Sequence, residues 1–328
     1  METILVTGAA GFIGSAFVEL ALQQGKKIVA IDKLTYAGSK ARLNRFTKNS
    51  KFLFSLVDIT KKSQLKAIFS EHRPDAVLNL AAETHVDRSI ENPGIFFETN
   101  FGGMLNLLEV ATEYCDVCKI SDAFRLINVS TDEVYGSLQK DGVFTELSAI
   151  APSSPYSASK AAADAAASAW HKTYGTPVIT TRCSNNYGPN QNVEKFIPKI
   201  IHNALSNKPI PIYGNGENVR DWIYVYDHAS ALLELLEHGK LGETYNIGAG
   251  VEMKNIELAN LICEILQEIF PSKIKYSSLI EYVPDRPGHD FRYSLSTNKI
   301  CTKLSWKPQY TVLNAMRATT QHYIAHYR

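Results

Sequence analysis

Few features of this sequence favour partners that depend on an extreme composition. Its 34 basic and 33 acidic residues leave a formal net charge of +1, which gives no electrostatic reason to invoke nucleic acid or an acidic membrane surface. No apolar run approaches the roughly 18 residues that a membrane-spanning helix needs, and no repeat or low-complexity tract interrupts the chain. Cysteine is scarce. Five residues, an odd number in a 328-residue chain, do not suggest a disulfide framework. Cys115 and Cys118 have the C-x2-C spacing, but no second such pair exists to complete a zinc site, so no metal is expected. The first strand signal begins at Ile4, too early for a basic and apolar leader, and a cytoplasmic protein is the expectation.

What the sequence does have is an ordinary globular composition, 45% hydrophobic and 20% charged. Its length suffices for an ample core and suggests two domains, or one with a lobe. The first half alternates short β-rich runs at 4–7, 27–31, 52–57, 76–80, 125–129 and 177–182 with helix-length segments at 13–24, 64–71, 102–114 and 157–173. Strands apolar on both faces, alternating with helices, predict an α/β fold with a parallel sheet covered on both sides. Past residue 184 loops rich in Asn, Gly and Pro appear at 185–189 and 211–216, and 243–248 reads as one more strand returning to the sheet.

Gly8-Ala9-Ala10-Gly11-Phe12-Ile13-Gly14 has the spacing G-x2-G-x2-G between a strand and a helix. Glycines let the backbone turn tightly and approach a pyrophosphate, while the helix start offers free N–H groups and a positive dipole end. A tight turn without a ligand is the alternative. The next strand, however, ends in Asp32, whose carboxylate suits ribose hydroxyls and repels a 2′-phosphate. That favours NAD over NADP, with Lys33 beside it as the one opposing charge. The expected architecture is a Rossmann-type doubly wound parallel sheet over 1–183, with 220–250 returning to it. A smaller, mainly C-terminal substrate-binding lobe covers 184–328, chiefly 184–219 and 251–328. Asp58, at the end of the third strand, reads either as an adenine contact or as a helix N-cap.

Thr131-Asp132-Glu133 directly follows an apolar run, at the end of a strand where open α/β sheets bind ligands. Tyr156 and Lys160 stand at i and i+4 of a helical stretch and so share a face. A phenol is a poor base at neutral pH, but a nearby ammonium and a positive nicotinamide ring both favour its phenolate. An exposed helix start with a solvated lysine is the plainer reading. Alcohol oxidation needs one base and a hydride acceptor, so the two carboxyls are surplus to it.

With these segments the chain resembles an extended short-chain dehydrogenase/reductase, and within that superfamily the nucleotide-sugar 4,6-dehydratases of the dTDP-glucose type. The resemblance also rests on Asp32-Lys33-Leu34-Thr35-Tyr36-Ala37-Gly38, Ala81-Ala82-Glu83-Thr84-His85-Val86-Asp87-Arg88-Ser89 and Ser130-Thr131-Asp132-Glu133-Val134-Tyr135-Gly136. It continues through Ser184-Asn185-Asn186-Tyr187-Gly188-Pro189, Arg220-Asp221-Trp222 and Pro284-Asp285-Arg286-Pro287-Gly288-His289-Asp290. Related sugar epimerases lack both carboxyls of the triplet, and related decarboxylases keep only the glutamate. Three positions depart from the pattern: Phe291 stands for a frequent arginine, Ser296 for a frequent aspartate and Val193 for a frequent proline.

The resemblance implies NAD-dependent dehydration of dTDP-glucose to a 4-keto-6-deoxy product. The same reaction on UDP-glucose is the alternative, and a catalytically silent NAD-binding regulator is a more distant one. Oxidation at C4 acidifies the C5 proton, which Glu133 takes as carboxylate. Asp132, held protonated because two adjacent carboxyls resist ionising together, donates to the departing C6 hydroxyl. Thr131 assists Tyr156 at the C4 oxygen. Around the cofactor the resemblance adds Phe12, Ile13, Leu34, Thr35, Ile59, Leu80, Ala81, Ala82, Thr99 and Asn186. For the nucleotide sugar it adds Thr84, His85, Asn185, Phe196, Pro211, Ile212, Tyr213, Asp285 and His289, with Lys195 and Asn255 equally readable as surface residues. Arg220 and Arg286 are the candidates to pair with a diphosphate. The alanine-rich helix carrying Ala161, Ala165 and Ala169 packs on its own sheet in the plain reading, and by the resemblance joins a homodimer interface.

Overall fold

A strand apolar at every position must be covered on both faces, because successive side chains point opposite ways. The computed structural model, which describes residues 1–327, meets that demand with layers of helix on both sides of one sheet. In chain order the first half comprises β1 (Thr3–Thr7), α1 (Phe12–Gln23), β2 (Lys27–Asp32), α2 (Lys40–Asn44), β3 (Phe52–Leu56), α3 (Lys62–His72) and β4 (Ala76–Asn79). There follow α4 (Val86–Glu91), α5 (Pro93–Phe96), α6 (Gly103–Cys118), β5 (Arg125–Thr131), α7 (Pro155–Tyr174) and β6 (Val178–Cys183). The second half adds β7 (Asn185–Tyr187), α8 (Phe196–Leu205), β8 (Ile210–Tyr213), β9 (Val219–Tyr224), α9 (Val225–His238) and β10 (Thr244–Ile247). Last come β11 (Glu252–Lys254), α10 (Asn255–Ile269), β12 (Ile280–Val283), α11 (Asn298–Leu304) and α12 (Val312–His326).

The central sheet has seven strands in the order β3-β2-β1-β4-β5-β6-β10, each pair parallel. Ile4, Val6, Ile28, Ala30 and Ile127 face α1 and α9, while Leu5, Val29, Ile31, Val77 and Leu126 face α3, α6 and α7. Burying each of the larger of these side chains contributes roughly 1.5–3 kcal/mol. Strand order reverses between β1 and β4, which opens a crevice beyond the carboxyl ends of the strands.

The stretches expected as loops at 185–189 and 211–216 begin as short strands. β7 and β11 flank β9 in a three-stranded sheet, and β8 pairs with β12. Their partners are distant in sequence, so no local signal marks them. A second core gathers Tyr187, Ile201, Ile212, Trp222, Leu258 and Ile262 among β7, β8, β9, α8 and α10. The C-terminal stretch, expected wholly in the lobe, first crosses back to the main sheet. Ile300 of α11 and Trp306 join the core beneath α9, and Trp306 Nε1 donates to Ser230 Oγ at 2.9 Å. There α9 and β10 give cover to the two apolar side chains. α12 then packs on α8 and α10, and Arg328 lies outside the described residues. No described helix is long and apolar enough to cross a membrane.

Candidate active site

β5 runs two residues past the expected end, through Ser130 and Thr131, and then tightens into a 3₁₀ turn, Asp132–Tyr135. Thr131 makes the turn: its Oγ1 accepts from the Glu133 N–H at 3.2 Å and donates to Asp132 Oδ1 at 3.2 Å. Gly136 closes it at φ +81°, where a Cβ would stand 2.4 Å from the Ala151 carbonyl oxygen. α7 starts on a capping box between Ser154 and Ser157 with Pro155 in its first turn, worth about 1 kcal/mol. That start holds Tyr156 and Lys160, one turn apart, buried against the end of β5.

Electrostatics separates the two carboxyls. Asp132 is only 2% exposed and its Oδ2 has no partner. Burial first, then the neighbouring Glu133 and Asp221, lift this carboxyl well above the ordinary range. Burial also raises Glu133, but Arg286, Arg220 and Lys195 pull it back. Of the two carboxyls, Asp132 is the one whose surroundings favour the neutral form more strongly. Burial and then Glu133 lift the Tyr156 phenol, against a hydrogen bond with Thr131 that lowers it. Lys160, expected to draw the phenol down, gives a hydrogen of its ammonium to the Val129 carbonyl at 2.7 Å. Behind the triplet, Arg182 joins Asp164 at 3.0 Å and donates to the Tyr135 hydroxyl at 2.9 Å. Asn128 donates to the other Asp164 oxygen at 2.9 Å, so this buried pair is braced on several sides.

The crevice at the switch point has three connected parts. At its inner end Gly8, Gly11, Asp32, Lys33, Thr35, Ile59, Leu80, Ala81, Ala82 and Thr99 line a groove. Gly8 sits at φ +65° with room for no Cβ, which would lie 2.7 Å from the Leu80 and Ala81 backbone, and a Cβ on Gly14 would meet the Gly8 oxygen at 2.2 Å. The Asp32 carboxylate accepts from the Ala10 and Leu34 N–H groups at 3.0 and 2.7 Å. A bare backbone cradle beside an oriented carboxylate fits a dinucleotide. The middle part brings Phe12, Ile13, Gly14 and Asn186 to Thr131, Asp132, Glu133, Tyr156 and Lys160. The outer part gathers Thr84, His85, Asn185, Lys195, Phe196, Pro211, Tyr213, Arg220, Asn255, Arg286 and His289. Glu133, Asn185, Asn186 and Lys195 border both middle and outer parts.

Four expected residues do not line the crevice. Ile212 lies in the second core, because alternation along β8 turns Pro211 and Tyr213 outward and Ile212 inward. Asp58 accepts from the Thr60 N–H at 2.9 Å, a turn ahead of α3. Leu34, at φ +55°, serves through its N–H to Asp32. Asp285 binds His289 Nδ1 at 2.6 Å and so orients that imidazole. Arg220 does line the outer part, yet its guanidinium donates to the carbonyls of Val219, Asp290 and Phe291 and lies 4.4 Å from the Tyr293 ring centre. The departures Phe291, Ser296 and Val193 stay off the crevice walls; Val193 is 57% exposed.

Sequence reasoning missed Gln191, Glu194 and Tyr293, which border the outer part, and Asn100. Asn100 sits in a π-helical turn, Phe97–Gly102, that joins α5 to α6 just ahead of the helix expected at 102–114. Its side chain accepts from the Glu83 N–H at 2.8 Å and donates to the Glu83 carbonyl at 3.0 Å and Ser159 Oγ at 2.8 Å. It thus ties the 81–85 wall to α7. A π turn has no single-residue signal, so only the structure reveals it.

The family model described as GDP-mannose 4,6 dehydratase matches residues 5–319. A dTDP-glucose 4,6-dehydratase of Neisseria meningitidis serogroup B is 48% identical over 332 residues, covering 99% of this chain and 94% of the relative. The solved dTDP-glucose 4,6-dehydratase of Bacillus anthracis in complex with NAD superposes with a TM-score of 0.88 at 42% identity, over 99% of this chain and 97% of that one. The Streptomyces venezuelae dTDP-glucose 4,6-dehydratase with NAD and TYD bound gives 0.91 at 40% identity, over 98% and 97%.

Proposed function

The chain belongs to the GDP-mannose 4,6-dehydratase family, and from that premise we propose that it is an NAD-dependent hydro-lyase converting dTDP-glucose to dTDP-4-keto-6-deoxy-glucose. The observation that carries this reading is Asp132. A buried carboxyl, held neutral beside a second carboxyl and with one oxygen left without a partner, is equipment for eliminating water and has no use in simple oxidation.

The chemistry that a bound dinucleotide supplies is reversible acceptance of a hydride. Gly8, Gly11, Gly14 and Asp32 would hold it. Burial lifts the Tyr156 phenol, so its action as a base depends on the positive nicotinamide ring that a bound dinucleotide would bring. Drawn toward phenolate by that charge, with Thr131 beside it, Tyr156 removes the proton of the C4 hydroxyl. The ketone at C4 acidifies C5, and Glu133, with Arg286, Arg220 and Lys195 pulling it toward the carboxylate, takes the C5 proton. Asp132 gives its proton to the C6 hydroxyl, which leaves as water, and Glu133 returns a proton to C5 as hydrogen is restored to C6. Exchange with solvent discharges Tyr156 of the proton it took, while Asp132 regains one. Arg286, Arg220 and Lys195 supply the positive charge that a nucleoside diphosphate needs at the outer part.

Two features of the molecule support further parts of the reading. Ala165 and Ala169 are exposed on the side of α7 turned away from the sheet, whereas Ala163, Ala166 and Ala167 pack beneath it. A small-residue face of this kind permits close helix packing, and we assign it to a homodimer contact. The cysteines are free thiols, as suits a reducing, cytoplasmic location.

Incubation with dTDP-glucose or UDP-glucose, followed by mass spectrometry, tests the substrate. A product lighter by one water from dTDP-glucose is expected, and a strong preference for UDP-glucose would overturn the assignment of the base.

A further inference from the structure

One guanidinium joins three separate chain segments at the rim of the cofactor groove. Arg42 Nη1 donates to the carbonyls of Ala10, in the glycine turn, at 3.0 Å and Ala37, in the loop after Asp32, at 2.8 Å. Its Nη2 donates to Asn192 Oδ1, which belongs to the loop between β7 and α8 on the far side of the crevice. Ala37, Gly11 and Asn192 all border the middle part, so the contact spans it. A guanidinium suits this place because its planar fork is pre-organised to meet several fixed acceptors together, whereas an ammonium is a single point charge on a flexible stem.

The far loop is itself held from behind. The Tyr323 hydroxyl of α12 donates to the Gln191 carbonyl at 2.6 Å, and the Asn190 N–H donates to His322 Nε2 at 3.3 Å. Gln191 Nε2 donates to the Asn186 carbonyl at 2.9 Å, which fastens the loop to β7. The loop is therefore a firm strap. Its end is tied to the 84–88 segment by Lys195 Nζ, which donates to the Thr84 carbonyl at 2.9 Å, and by Glu194 against Arg88 at 3.6 Å. Arg42 attaches its middle beside the glycine turn.

We propose that Arg42 and Asn192 form a clasp across the cofactor crevice and that this clasp sets how fast a bound NAD leaves. Both are positioning residues: they hold the strap across the groove and take no part in the proton transfers. The inference rests on the reading of NAD as the cofactor. It gives that reading a physical basis for retention, since a cofactor restored in every turnover gains from slow release.

The test is exchange of labelled for unlabelled NAD from the full-length protein, measured for the unsubstituted chain, Arg42→Met, Asn192→Leu and the double variant. Loss of a hydrogen bond to a charged donor accelerates release on the order of tenfold, and that is expected of Asn192→Leu. Arg42→Met is expected to release at least as fast, and the double variant no faster than Arg42→Met, because both remove one shared contact. Equal release rates in all four, or effects that multiply in the double variant, would overturn the clasp while leaving the cofactor reading intact. Absence of any bound NAD in the unsubstituted chain would overturn both. Should Arg42→Met fail to fold, Asn192→Ala and Asn192→Leu read the same contact, and release at the unsubstituted rate in both contradicts the proposal.

Discussion

Thr131 Oγ1 gives its hydrogen to Asp132 Oδ1 and accepts that of the Glu133 N–H, each at 3.2 Å, so one hydroxyl orders both carboxyl-bearing residues. Thr131→Val removes donor and acceptor at similar volume. The expected outcome is a fall in kcat of roughly tenfold or more, from misplacing a general acid and base, with stability lower by about 1 kcal/mol for the lost cap. Thr131→Ser keeps the hydroxyl and is expected to recover most of kcat. Steady-state kinetics of the two variants decide this, and an unimpaired Thr131→Val beside an impaired Thr131→Ser would show that the methyl group matters and the hydroxyl does not.

The opposed roles of the carboxyls fix the form of the pH profile. Glu133 acts as carboxylate and is raised by burial, so activity is lost on the acid side above the ordinary glutamate value. Asp132 acts as acid and is raised further, so activity is lost on the alkaline side as its proton leaves. The two interact and titrate as a pair. In Asp132→Asn the alkaline fall is expected to disappear while kcat drops roughly 10²–10⁴-fold. An alkaline limb that persists unchanged in that variant would contradict the assignment.

His228 is fully buried, and its Nδ1 meets Asn186 Oδ1 at 2.9 Å. Asn186 Nδ2 is committed to the Ser184 carbonyl at 3.0 Å, which leaves Oδ1 as acceptor and gives His228 Nδ1 the hydrogen. Burial alone pulls this imidazole down from 6.5 to about 3. As pH falls below the ordinary imidazole value, the unfolded chain binds a proton that the folded chain refuses. Stability is therefore full above about 6.5 and is lost toward 3, at about 1.4 kcal/mol for each pH unit. His228→Asn retains a donor to Asn186 without a titrating group. Urea unfolding at pH 7 and pH 5 is expected to give the variant the shallower loss of stability, and equal losses would sink the idea.

How much of this was legible in the sequence depends on how local each cause is. The glycine turn, Asp32 and the Tyr156–Lys160 pair follow from short-range geometry: a backbone that must approach a ligand, a strand end, and a helical turn. The triplet was legible because its chemistry exceeds what oxidation requires. The strands β7 and β8 were not, since they exist only through partners far along the chain. Nor was the inward turn of Ile212, which depends on where β8 begins, or the commitment of Lys160 to the Val129 carbonyl. The clasp between Arg42 and Asn192 lies furthest from sight. It joins residues 150 positions apart through a guanidinium that reads as an ordinary surface charge.

If the Asp132–Glu133 pair eliminates water, the C4 hydrogen of the sugar returns at C6 and the C5 hydrogen is renewed from solvent. Conversion of dTDP-glucose deuterated at both C4 and C5, in ordinary water, with the product read by NMR, separates the two events. Deuterium at C6 and protium at C5 are expected. C6 without deuterium, or deuterium retained at C5, would contradict the elimination mechanism.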